Sequence, residues 1–294
     1  MKEQQKTGTI VLSRKGFFNV SAPEGVCVCK AATRLRLEKK EPLCGDTAVF
    51  ADNGDGTGFI TDILPRRCCF PRPSVANADV FCIVISAHEP EPDLYCVDIL
   101  TCLGVKYGVD TVIIINKCDM SSGEEYARIY SACGFEVFRT GIGVNGDEEL
   151  RRRLKGGIAV FAGASGVGKS SLLNRLYPQF KAQTGELSAK IARGKNTTRH
   201  TELFATGDGG YIADTPGFSA LDPETEDLLV FDDLEYCFPE FQPYFGKCRF
   251  RGCGHTKEIG CAVTDAVKRG EIPVSRHESY KKLFEVLKKK THQY

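Results

Sequence analysis

The chain has 294 residues, 42% hydrophobic and 26% charged, with a formal net charge of +1, an ordinary globular composition long enough for two or three domains. No run reaches the 18 or more apolar residues of a membrane span, and so even a charge balance excludes a global basic field for polyanions. The polar start at residues 1–6 has no apolar signal-peptide region after it, so a cytoplasmic protein is expected, with its 14 cysteines mostly reduced thiols in the core rather than a disulfide framework.

Residues 9–12, 17–20, 26–30, 46–51 and 59–64 read as short strands between turn signals such as Pro23-Glu24-Gly25 and Asn53-Gly54-Asp55-Gly56. About five strands in about 65 residues predict a small barrel of the OB type, a fold that often binds nucleic acid. From about residue 67 the pattern changes. Apolar runs at 80–85, 112–115, 135–138, 158–162 and 211–213 alternate with helical stretches, which predicts an α/β domain with strands buried on both faces of a parallel sheet. A third part, from about residue 223, ends in helical charge patterning over 275–290. Residues 237–294 carry 12 Lys/Arg against 6 Asp/Glu, a basic surface that suits either a polyanion or plain solvation. The expected domains are therefore 1–66, 67–222 and 223–294.

The segment Gly163, Ala164, Ser165, Gly166, Val167, Gly168, Lys169, Ser170 fits G-x-x-x-x-G-K-[ST] in full. It follows the apolar run 158–162 and opens a helix that includes Ser171 and stops at Pro178, the context a P-loop requires. Its glycines let backbone N–H groups converge on phosphate oxygens, and the helix N-terminus adds its dipole. Lys169 supplies a cation to the β- and γ-phosphates, and the Ser170 hydroxyl can ligate Mg²⁺.

Asn116, Lys117, Cys118 and Asp119 follow the strand 112–115 and form the N-K-x-D pattern that reads guanine. The carboxylate of Asp119 can accept from guanine N1–H and the exocyclic amine together, a donor pair that adenine lacks. Lys117 can lie over the base, and Asn116 can tie neighbouring loops together. Asp214, Thr215, Pro216 and Gly217 follow the strand 211–213 as D-x-x-G. Here Asp214 can reach Mg²⁺ through water and the Gly217 N–H can sense the γ-phosphate. A threonine of Gly194-Lys195-Asn196-Thr197-Thr198 can close on Mg²⁺ as switch loops do. N-K-x-D thus precedes the P-loop, the reverse of the usual GTPase order, so the domain is expected to be circularly permuted. GTP and GDP are the expected ligands.

Cys248, Cys253, His255 and Cys261 have the spacing C-x₄-C-x-H-x₅-C. Three thiolates and one imidazole within 14 residues suit a closed, tetrahedral, structural Zn²⁺ site in a mostly helical C-terminal domain.

Together these elements resemble the ribosome small-subunit-dependent GTPase A family (RsgA, also called YjeQ or EngC) over nearly the whole chain. The resemblance extends to Gly45 and Asp46, to Leu64, Pro65 and Arg66, to Arg72, Pro73, Val75, Ala76, Asn77 and Asp79, and to Arg276, Ser279 and Tyr280. It implies an N-terminal RNA-binding OB-fold, a central permuted GTPase and a C-terminal zinc domain. It also implies binding to the small ribosomal subunit and its rRNA late in maturation, with hydrolysis stimulated by the subunit; a monomer is expected. It selects Thr198 as the switch threonine. Two departures matter. Where the family's switch reads G-x-H-T-T, with a histidine that aids hydrolysis, this chain has Asn196, and its nearest histidine is His200. Where the family has Ser-Ala beside the guanine, register places Thr140 and Gly141, of which Gly141 can still offer its N–H to guanine O6. Since residues 1–64 hold 9 Lys/Arg against 8 Asp/Glu, RNA contact must be local, with Arg34, Arg36, Lys39 and Lys40 as candidates. The alternatives are a nucleotide-binding RNA-interaction module with little turnover, which Asn196 favours, and a metabolic kinase, which N-K-x-D and D-x-x-G oppose.

Overall fold

The computed structural model describes residues 5–14, 16–71, 74–180, 202–214 and 228–291. The chain groups into two units: Met1–Val80 with Leu154–Phe161 and Tyr177–Pro216, and Phe81–Arg153 with Ala162–Leu176 and Gly217–Tyr294.

In the first unit, β1 (Gln5–Arg14), β2 (Phe17–Ala22), β3 (Gly25–Ala31), β4 (Thr47–Asp52) and β5 (Thr57–Ile63) close into a barrel in the order β1-β2-β3-β5-β4. Alternation along the strands puts Phe18, Val20, Cys27, Cys29, Phe50 and Ile60 inside, where Ile10 and Leu35 of α1 (Thr33–Leu37) complete the core. Strand β1 runs well beyond the expected 9–12 because it serves two partners. Its first half pairs with β4 from Gln5↔Ala51 to Thr9↔Thr47, and its second half pairs with β2 as far as Arg14↔Phe17, with a register shift between Ile10 and Leu12. Asp46 is fully buried and pins the barrel to the chain that leaves it. Its carboxylate accepts from Arg66 Nε at 2.7 Å and Nη2 at 2.8 Å, and from the Leu43 amide at 2.7 Å. This bond to Asp46 raises the Arg66 pKa further.

The same unit holds the short hairpin β6 (Cys69–Pro71) and β7 (Ser74–Ala76), and strands β11 (Ile158–Ala162), β12 (Leu203–Ala205) and β13 (Tyr211–Asp214) in the order β11-β13-β12. β11 and β13 are parallel, whereas β12 runs antiparallel to β13. At three residues β12 is too short to leave a periodic signal, so the expectation of an all-parallel sheet misses it. Asp79 accepts from the Ile158 amide at 2.8 Å and from Arg67 at 2.7 Å, and the Tyr211 hydroxyl donates to Ser21 of β2 at 3.0 Å.

In the second unit, β8 (Val80–Ser86), β9 (Asp110–Asn116) and β10 (Glu136–Arg139) lie in the order β10-β9-β8. Every residue of β8 and the last five of β9 are buried, which is why both read as unbroken apolar runs. Around them are α2 (Leu94–Lys106), α3 (Glu124–Ala132), α4 (Gly146–Arg153) and α5 (Lys169–Leu176). α2 starts where the Asp93 carboxylate accepts from the amides of Tyr95 and Cys96. The remainder of the unit consists of the 3-10 segments Phe231–Cys237 and Pro239–Tyr244, then α6 (Ala262–Lys268) and α7 (Val274–Thr291). Arg276 of α7 is fully buried. It donates to Asp98 at 2.7 Å and Thr101 at 2.9 Å on α2, and to Glu240 at 2.7 and 3.3 Å. Tyr130 of α3 also donates to Asp98, at 3.1 Å. Among the described residues no helix is long and apolar enough to cross a membrane.

Candidate nucleotide site and metal centre

Strand β11 delivers the chain to Gly163, which turns with φ of 145° in a place where a Cβ would lie 2.2 Å from the Val84 carbonyl oxygen. Only glycine fits there. Val167 is buried and anchors the loop, while Ala164, Ser165 and Gly166 are exposed. Lys169 folds back so that Nζ donates to the Gly163 carbonyl at 2.6 Å and the Ala164 carbonyl at 2.9 Å. Ser170 and Ser171 are exposed on the first turn of α5.

The end of β9 meets this loop through side-chain bonds. Asn116, 2% exposed, donates from Nδ2 to the Val167 carbonyl at 3.0 Å. Its Oδ1 accepts from Thr140 Oγ1 at 3.1 Å and from Arg175 at 3.0 Å. Lys117 has φ of 63° and donates from Nζ to the carbonyls of Gly166, at 2.9 Å, and Glu89. Asp119 Oδ1 accepts from the Ile142 amide at 3.1 Å. A Cβ on Gly141 would sit 2.4 Å from that same Oδ1, so the glycine that replaces the family's small residue leaves room for the carboxylate. The structure therefore brings together the P-loop, Asn116, Lys117, Asp119, Thr140 and Gly141, all within the second unit. Sequence reasoning missed Ile142 and Arg175. Ile142 is adjacent to the expected pair and could have been found by testing the neighbouring register. Arg175 sits on α5 with no motif to mark it.

Asp214 closes β13, in register with Phe161 of β11. Its side chain, and all of Asn196, Thr197, Thr198, His200, Thr215, Gly217 and Phe218, lie outside the described residues, as do Arg72 and Pro73.

The ligand atoms of Cys248, Cys253, His255 and Cys261 lie within 4.8 Å of one another. His255 Nδ1 is 3.5 Å from Cys248 Sγ and 3.4 Å from Cys261 Sγ, and the two sulfurs are 3.9 Å apart. Tetrahedral donors at Zn–S of about 2.3 Å and Zn–N of about 2.0 Å would be separated by roughly 3.5–3.8 Å, so the spacing fits a bound metal ion. His255 presents Nδ1 to the cluster because Nε2 faces Glu235 at 3.3 Å, an outer contact that orients a ligating imidazole. Burial opposes the Cys261 thiolate, but hydrogen bonds from Thr264, His255 and Cys253 bring its pKa down to about 7. Glu258 organises the turn between ligands by accepting from the amides of Gly254, Thr256 and Lys257. Burial of Glu258 is outweighed by these bonds, which lower its pKa to about 2.

Comparison with known proteins extends the resemblance. Residues 63–224 match the RsgA GTPase family and residues 7–60 the RsgA N-terminal domain. The Small ribosomal subunit biogenesis GTPase RsgA of Moorella thermoacetica is 41% identical over 277 residues, covering 93% of this chain and 94% of the relative. That of Alkaliphilus metalliredigens is 40% identical over 288 residues, covering 96% and 98%. The solved structure of YjeQ from Thermotoga maritima superposes with a TM-score of 0.82 at 32% identity, covering 97% of this chain and 99% of that one. YloQ, described as a circularly permuted GTPase, superposes at 0.79 and 31%, covering 98% and 96%. With a P-loop and an N-K-x-D strand joined at Asn116 and relatives matched along nearly their full length, this chain belongs to the RsgA family of GTPases and is a GTP hydrolase.

Proposed function

We propose that the chain hydrolyses GTP in the service of small-ribosomal-subunit biogenesis, as the names of its relatives describe for those proteins. The observation that carries the guanine assignment is the bond from Asn116 to the Val167 carbonyl, which sets Asp119 and the P-loop at one site. Asp119 reads the base edge, with Lys117 over the ring. The N–H facing guanine O6 comes from Gly141 or from Ile142, whose amide already points at the Asp119 carboxylate. Residues 163–171 hold the phosphates, with Lys169 turning from its loop carbonyls to the β- and γ-oxygens. Ser170, Thr198 and Asp214 are assigned to Mg²⁺, which would neutralise charge developing on the phosphates. Gly217 and Asn196 are assigned to the γ-phosphate side.

The domains read as 1–66 for RNA, 67–222 for GTP and 223–294 for a structural Zn²⁺ held by Cys248, Cys253, His255 and Cys261. rRNA is assigned to the barrel. Among the candidate cations near α1, Arg34 is paired with Glu38, and Lys40 with Glu38 and Asp62. No ion pair among the described residues engages Arg36 or Lys39, so these two hold the more available charge. On the same barrel, Phe17, Lys30 and Phe59 form one cross-strand row on the outside of β2, β3 and β5. Both rings are about half exposed, and the Lys30 ammonium lies 5.1 Å from the Phe17 centroid. A row of two rings and a cation suits unpaired bases and their phosphates. A monomer working in the cytoplasm completes the reading.

The test is sedimentation of the full chain with isolated small and large subunits, in GDP and in a non-hydrolysable GTP analogue. Cosedimentation with the small subunit, stronger in the analogue, is expected. Equal binding to both subunits, or to neither, refutes the assignment.

A further inference from the structure

Arg175 lies six residues beyond the P-loop lysine on α5, yet its side chain reaches the guanine motif rather than the phosphate loop. Nε donates to Asp147 Oδ2 at 2.7 Å and Nη2 to Asp147 Oδ1 at 3.3 Å, while the same Nη2 donates to Asn116 Oδ1 at 3.0 Å. Asp147 comes from the first turn of α4. Its helix begins at Gly146, where a Cβ would lie 1.9 Å from the Arg139 carbonyl oxygen of β10, so α4 starts close enough to the strand for Asp147 to meet Arg175.

The chemistry of Asn116 gives this contact its meaning. An asparagine amide fits a buried site in two orientations related by a 180° flip. In the observed one, Nδ2 faces the carbonyls of Val167 and Gly168 at 3.0 and 3.4 Å. The flipped amide would oppose its oxygen to those carbonyls. The Thr140 hydroxyl cannot enforce the choice, because it can donate or accept. A guanidinium can only donate, and its charge strengthens the bond to Oδ1. The site is also tight, since a Cβ on Gly168 would come within 2.5 Å of Nδ2.

We propose that Arg175, aimed by Asp147, is a positioning residue for guanine recognition: it fixes the Asn116 amide so that the base-reading loop stays tied to the P-loop. Helix α5 thereby couples base and phosphate recognition, with its first turn at the phosphates and its second on the guanine motif. The proposal rests on the reading of Asn116, Lys117 and Asp119 as the guanine site. The Arg175–Asp147 pair is partly exposed, so as an ion pair alone it would contribute little. Its weight lies in the bond to a buried amide.

The test is competition binding on the full-length protein with Mg²⁺, giving dissociation constants for GDP and ADP, beside the melting temperature of the nucleotide-free protein. ADP uses the P-loop but not the Asp119 donor pair. In Arg175→Met the GDP constant should rise about tenfold while the ADP constant stays within about twofold, so that selectivity falls. Arg175→Lys keeps a donor but loses the fork, and should recover part of the selectivity. If Arg175→Met does not fold, Asp147→Asn carries the test with a severalfold fall in selectivity. Selectivity within about twofold of wild type, or equal losses for GDP and ADP, overturns the proposal. Asp119→Asn serves as control. If it does not shift preference from GTP to xanthosine triphosphate, the guanine assignment itself fails. If it does shift while the Arg175 and Asp147 variants keep full selectivity, only the role of Arg175 fails.

Discussion

Arg276→Met removes the cation from a buried site and leaves Asp98 and Glu240 facing each other's surroundings without it. In the structure Arg276 is fully buried, bridges α2 and Glu240 at 2.7 Å on each side, and stacks 4.6 Å from the Phe238 ring. Breaking a buried pair by removing one partner costs about 3–5 kcal/mol, a large share of the ~5–15 kcal/mol that holds a typical protein together. Burial already pushes the Asp98 pKa up, with Arg276 pulling it down. Without Arg276 the carboxyl should take up a proton more readily, which limits the loss to the lower end of that range. At a urea dependence of about 2 kcal/mol per molar, the midpoint should drop by about 1.5–2 M. Far-UV circular dichroism is the appropriate probe because the chain has no tryptophan. The combined variant Arg276→Met, Asp98→Leu, Glu240→Met, with Tyr130→Phe added because its hydroxyl donates to Asp98, should recover most of the loss, since apolar replacement of a whole buried ion cluster is often neutral. A loss below about 1 kcal/mol in the single variant, or no recovery in the combined one, would refute the reasoning.

Cys253→Ser should lower bound zinc well below one equivalent and loosen residues 248–261, since structural Zn²⁺ contributes on the order of 10 kcal/mol to small sites; elemental analysis of wild type purified without chelator checks the premise. Burial lowers the His277 pKa below its usual 6.5, so the unfolded chain binds the extra proton first. The stability that the neutral ring contributes is therefore present above pH 6.5 and lost as pH falls below it. His277→Asn should flatten the fall in urea midpoint between pH 7 and pH 5, and an unchanged slope would rule this out. Intrinsic GTP hydrolysis should be slow and stimulated by small subunits, because Asn196 cannot titrate near neutral pH and Phe218, which follows the D-x-x-G glycine where Ras-like GTPases carry a water-orienting Gln, cannot orient water. Asn196→His should raise the unstimulated single-turnover rate, whereas loss of activity in His200→Ala would move the role to His200.

What could be read from the sequence follows the strength of each local signal. The P-loop, N-K-x-D and C-x₄-C-x-H-x₅-C were legible because their chemistry needs fixed residue types at fixed spacing. Strands β8 and β9 were legible because burial on both faces leaves unbroken apolar runs. Strand β12 and the hairpin of β6 and β7 were not, for three residues carry no periodicity. The full length of β1 was hidden because its ends pair with β4 and β2 in turn, and pairing partners leave no mark on composition. Asp46 and Arg66 carry part of the family resemblance, but only the structure gives the reason, a buried carboxylate gripped across 20 residues of chain. Arg175 was invisible because its two partners, Asp147 and Asn116, stand 28 and 59 residues away.

The bond between Asp98 and Arg276 spans 178 residues of chain. At about 5–20 residues per second of synthesis, Asp98 leaves the ribosome on the order of ten to thirty-five seconds before its cation. The Asn116 and Val167 partners, 51 residues apart, can meet far sooner. A nascent chain can therefore assemble its nucleotide loops while α2 still carries an acid it cannot bury. Only the arrival of α7 lets that helix seal, which makes this contact a late checkpoint: chains stalled or cut before residue 276 would expose the unsealed face of α2 to chaperones and proteases.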